Sequence, residues 1–66
     1  MKLTINGAIK EYQEQLTVQQ LLQHLQLPQE RVVVELNREI LSADLHIDTE
    51  LKSGDTLELV QFVGGG

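Results

Sequence analysis

The spacing of apolar and polar residues changes several times along this chain. Residues 1–6, MKLTIN, alternate, with Leu3 and Ile5 on one side and Lys2 and Thr4 on the other. That is the period-two signature of a strand with one buried face. Asn6-Gly7 follows, and because both residues tolerate positive φ the pair predicts a tight hairpin. Residues 8–14 form the returning strand, whose weaker alternation and polar composition give it an edge character. From Leu16 to Leu27 the period becomes helical: Val18, Leu21, Leu22 and Leu25 share a face, with Gln19, Gln20, Gln23 and His24 elsewhere around it. Thr17 and Gln20 predict a capping box, Leu16 and Leu21 a hydrophobic staple around it. Pro28 marks the exit.

Residues 31–37, RVVVELN, are β-branched and apolar, which predicts a central strand with Val32, Val34 and Leu36 inward. Residues 37–39 are turn-like. Ile40 and Leu41 form either a short strand or an apolar anchor. Residues 42–50 are polar and irregular, and Leu45 and Ile47 are expected to plug the core from there. Residues 51–55 make a turn in which Gly54 supplies a positive φ, and residues 56–63 are the last strand. A hairpin buries one face, and one helix is enough to cover it. The economical arrangement is α+β: a mixed sheet of four to five strands wrapped around one helix. This is the β-grasp architecture, of which ubiquitin is the familiar example. The expected domain covers residues 1–63, followed by a flexible C-terminal glycine tail, residues 64–66.

Composition narrows the function. Ten acidic residues against five basic give a net charge of −5. Phosphate binding needs clustered Lys and Arg, so nucleic acid and anionic membrane surfaces are disfavoured as partners. A soluble monomer whose partners present basic surface is favoured. No segment resembles a signal peptide or a membrane span, so a cytoplasmic location is expected. With no cysteine among 66 residues there is neither a disulfide nor a thiolate site, and the core must be aliphatic.

Catalytic constellations are sparse. His24 and His46 lack a second ligand at metal spacing and read as a solvated helix-face residue and a loop residue. Ser42 and Ser53 sit in turn-like sequence without a nucleophile elbow. Glu35 falls at an outward position of an apolar strand and reads as an exposed residue on a half-open sheet. In the last strand Leu57 and Leu59 face inward, which leaves Val60 and Phe62 beside Glu58 on the opposite face. With Val33 on a neighbouring strand they are candidates for a partner-docking patch. Gly64, Gly65 and Gly66 have no side chains to pack and extend the chain by about 10 Å. Without Cβ atoms such a tail enters a channel too narrow for other residues and presents its terminal carboxylate there. Taken alone, a glycine run like this is more often a frayed end.

Several stretches together resemble the ThiS family, the sulfur carriers of thiamine biosynthesis. SGDTLELVQFVGGG, residues 53–66, is similar to the family's Gly-Asp turn, apolar last strand and terminal Gly-Gly. RVVVELNREIL resembles its middle strand and the turn after it, LTINGAIKEY its hairpin and TVQQLLQHL its helix. The resemblance implies that an E1-like adenylyltransferase, ThiF in this family, uses ATP and Mg to adenylate Gly66. Sulfur derived from cysteine through a desulfurase then gives a thiocarboxylate, which serves thiazole synthase, ThiG. It implies a co-substrate rather than an enzyme, with no cofactor bound by this chain. Gly66 would be the modified residue, with Gly64 and Gly65 extending into the partner's active site and Val60 and Phe62 docking beside them. The terminal Gly-Gly is shared with carriers for molybdopterin or tRNA thiolation and with ubiquitin-like modifiers, which remain rival readings beside a plain interaction module.

Overall fold

The computed structural model describes residues 1–62. Lys2–Ile5 forms β1, and it pairs antiparallel with β2, Ala8–Glu11. Ile5 stands opposite Ala8, so Asn6 and Gly7 are the whole loop, at φ 50° and 84°. A two-residue loop with positive φ at both positions has the twist that flanking strands demand. The second hairpin repeats the solution. β3, Val32–Leu36, pairs with β4, Glu39–Leu41, across Asn37 and Arg38 at φ 50° and 72°. The last strand, β5, runs from Thr56 to Gln61. It lies antiparallel to β3 and parallel to β1, giving a five-stranded mixed sheet in the order β2-β1-β5-β3-β4. β2 is at an edge, and all four of its residues are exposed, Lys10 and Glu11 among them. The α+β reading therefore holds, with five strands.

Strand alternation directs Leu3, Ile5, Val32, Val34, Leu57 and Leu59 to one face, where all are buried. Helix α1, Val18–His24, covers them with Val18, Leu21 and Leu22. Each such side chain contributes about 1.5–3 kcal/mol when removed from water. Leu16 and Leu51 complete the core.

The helix begins with every orphan donor satisfied. The capping box forms: Gln20 N–H donates to Thr17 Oγ1 at 3.1 Å and Thr17 N–H to Gln20 Oε1 at 2.9 Å. Val18 N–H donates to the Thr49 carbonyl at 2.9 Å and Gln19 N–H to that of His46 at 3.0 Å. The crossover between β4 and β5 thus supplies the partners that a helix N-terminus lacks. At the other end the helix is shorter than its apolar period, which runs to Leu27. Gln26 takes φ 58°, its N–H donates to the Gln23 carbonyl at 3.0 Å, and Leu27 N–H donates to that of Leu22 at 2.9 Å. Those two bonds are a Schellman motif, which stops the helix before Pro28.

One expectation fails in the crossover. Leu45 and Ile47 do not plug the core; they are 46% and 57% exposed, and His46 between them is buried at 0% exposure. Leu45 and Ile47 would share an inward face only in extended backbone, where alternate residues point the same way. Here Ala43–Leu45 is a short 3-10 turn and His46 has φ −58° and ψ −38°, so the chain curls and turns residue 46 inward. His46 is a loop residue, as its sequence context predicts, but a buried one.

Candidate functional site

β5 carries the site. Its inward residues anchor it between β1 and β3, and its outward residues are exposed. Val60 stands opposite Val33 and Glu58 opposite Glu35, whose other neighbour, on β4, is Ile40. Val60 is 56% exposed, Phe62 58% and Ile40 68%, while Val33 and Glu35 are half-buried. Val60 and Phe62 are therefore exposed, as alternation suggested, and half-buried Val33 lies beside Val60 on the same face. Phe62 follows the strand, but its N–H still donates to the Arg31 carbonyl at 2.8 Å, which holds it beside β3. Ile40 was not singled out as an exposed residue: it becomes one because the Asn37-Arg38 turn sets it beside Glu35 on the same outer face.

Other candidates stay apart. His24 is exposed on the helix and meets Tyr12 edge to face, ring centroids 6.5 Å apart. Neither ring nitrogen of buried His46 has a hydrogen-bond partner among the described residues. No group of three His, Asp or Glu side chains gathers there to hold a metal, and no pocket opens. No helix among them is long and apolar enough to cross a membrane. Gly64, Gly65 and Gly66 lie outside the described residues, four or fewer positions beyond Phe62.

What the described residues offer is an exposed, apolar and acidic sheet face leading directly to a glycine-rich end. The sequence profile of the ThiS family matches residues 3–66. The chain belongs to the ThiS family. It is 40% identical to the sulfur carrier protein ThiS of Bacillus subtilis, over 97% of this chain and 98% of that one. A crystal structure of the thiamine biosynthesis protein ThiS from Geobacter metallireducens superposes with a TM-score of 0.85, at 42% identity and with full coverage of both chains. The β-grasp fold and the thiamine branch of sulfur carriers follow from these matches. The chain is also 39% identical to a protein named thiazole synthase from Paramagnetospirillum magneticum, matching over its full length but spanning only 20% of that protein.

Proposed function

We propose that this member of the ThiS family carries sulfur as a thiocarboxylate on Gly66 and is a co-substrate rather than an enzyme. A Gly66 carboxylate oxygen attacks the α-phosphorus of ATP in an E1-like, Mg-dependent partner of the ThiF type, and pyrophosphate leaves. The acyl-adenylate then accepts sulfur that a desulfurase has taken from cysteine. The terminal sulfur of the desulfurase-derived persulfide forms the C–S bond as the C–O bond to AMP breaks. A second thiol of the sulfur donor then cleaves the S–S bond, leaving the thiocarboxylate on Gly66 and a disulfide on the donor. Thiazole synthase of the ThiG type receives the sulfur. The observation that carries this reading is the Gly-Gly-Gly terminus placed four residues or fewer after an exposed apolar strand face, in a chain 40% identical to a sulfur carrier. A chain without cysteine has no thiol on which to hold sulfur, which leaves its terminal carbonyl. Two proteins named thiazole synthase contain a segment matching all of this chain, which supports the synthase as a partner. The net charge of −5 favours partners with basic surfaces.

The test is the intact mass of protein purified from its own cells, beside a variant lacking Gly66. The expected result is a species heavier by the difference between one sulfur and one oxygen. Fragmentation should place it at the C-terminus, and it should be absent from the deletion. Unmodified protein alone, both from cells and after incubation with the activating enzyme, ATP and a sulfur donor, would overturn the proposal.

A further inference from the structure

The outer sheet face holds two carboxylates that do not help the domain fold. Glu35 and Glu58 are directly opposite across antiparallel β3 and β5. Side chains so placed have Cβ atoms about 4.5–5.5 Å apart, and like charges there destabilise the pair of strands. The ion pairs among the described residues join the Met1 ammonium to Glu11 and Glu14, and neither Glu35 nor Glu58 takes part in one. Apolar side chains frame the two carboxylates: Ile40 beside Glu35, Val33 and Val60 one pair further along, then Phe62. Two facing, uncompensated carboxylates within an apolar patch are complementary to one cation on an apolar surface. A guanidinium fits best. It offers five N–H donors in a planar fork that can reach both carboxylates, and it packs flat against apolar neighbours, whereas an ammonium is a compact, strongly hydrated point charge.

We propose that this face docks the apolar surface of the adenylating enzyme and that one arginine of that enzyme bridges Glu35 and Glu58. The inference rests on the carrier function proposed above and adds the chemistry of recognition. Gly66 lies eight positions beyond Glu58, a stretch that spans at most about 28 Å when extended, which bounds the distance from Glu58 to the enzyme's nucleotide site.

The experiment is carrier-dependent ATP–pyrophosphate exchange by the ThiF-type enzyme of the same cells, with Glu35→Gln, Glu58→Gln and the double variant. The double variant is expected to raise KM for the carrier about tenfold or more, with the effect on KM rather than kcat. Its urea midpoint should stay the same or rise, because the repulsion has been removed. A merely structural role would instead lower the urea midpoint. Changing the enzyme's carrier-facing arginines singly to lysine should reveal one whose loss is not additive with the double variant. An unchanged KM, or the absence of any coupled arginine, overturns the docking inference and leaves the carrier function standing. No exchange with the unaltered carrier overturns both.

Discussion

The side chain of Asn6 is hydrogen-bonded in both directions to the backbone of Leu59, 53 residues away. Its Oδ1 accepts from Leu59 N–H at 2.8 Å and its Nδ2 donates to the Leu59 carbonyl at 3.3 Å. The Asn6 N–H donates to the Leu57 carbonyl at 2.9 Å, so the side-chain amide continues the parallel ladder after β1 has turned away. One residue therefore makes the hairpin and fastens the strand that leads to the glycine tail. Asn6→Gly keeps the positive φ and loses both side-chain bonds. It is expected to cost about 1–2 kcal/mol in urea unfolding, and Asn6→Asp, which keeps the acceptor, less.

Gln26 and Arg38 occupy left-handed positions that glycine takes without steric cost, at φ 58° and 72°. Gln26→Gly should stabilise the Schellman ending by about 0.5–1 kcal/mol, and Arg38→Gly the second hairpin by a similar amount. Both are read as a rise in the thermal midpoint. A fall in either would mean that the side chain makes a contact worth more than the strain.

His46 fills core space with a ring whose nitrogens have no partner among the described residues. Leaving a buried polar group unbonded costs about 1–3 kcal/mol, whereas an apolar group of similar size carries no such cost. His46→Leu should therefore be neutral or stabilising in urea unfolding. His46→Ala opens a cavity and should destabilise by about 2 kcal/mol or more.

Local patterns explain what was legible in the sequence. Asn6-Gly7, the Thr17–Gln20 box and the alternation in β1, β3 and β5 are short-range signals, and each reappears where its residues predict. Two features were hidden. The helix ends on Gln26, a residue with no preference for left-handed backbone, so Pro28 looked like the stop. The crossover is shaped by tertiary demand: its carbonyls at His46 and Thr49 must reach the donors of Val18 and Gln19, and that curl buries His46 rather than Leu45 and Ile47. The docking face was half visible. Alternation exposed Val60 and Phe62, but the pairing of Glu35 with Glu58 and with Ile40 depends on strand register.

Strand β5 should separate stability from docking by the parity of its residues. Leu57 and Leu59 are buried at 0% and 9% exposure, while Val60 and Phe62 are more than half exposed. Leu57→Ala removes a fully buried side chain and is expected to cost about 2–5 kcal/mol. That is a large share of the few kcal/mol that a domain this small can hold. Val60→Thr keeps the β-branched shape opposite Val33, and Phe62→Ser removes an exposed ring; each should cost less than about 1 kcal/mol. The same two substitutions should weaken exchange by the adenylating enzyme, because they remove apolar area from the face it is proposed to cover. Denaturation curves for all three variants, set beside their KM in exchange, check the division. A Phe62→Ser carrier that unfolds as easily as Leu57→Ala would show that Phe62 packs as core, and one with unaltered KM would remove it from the docking surface.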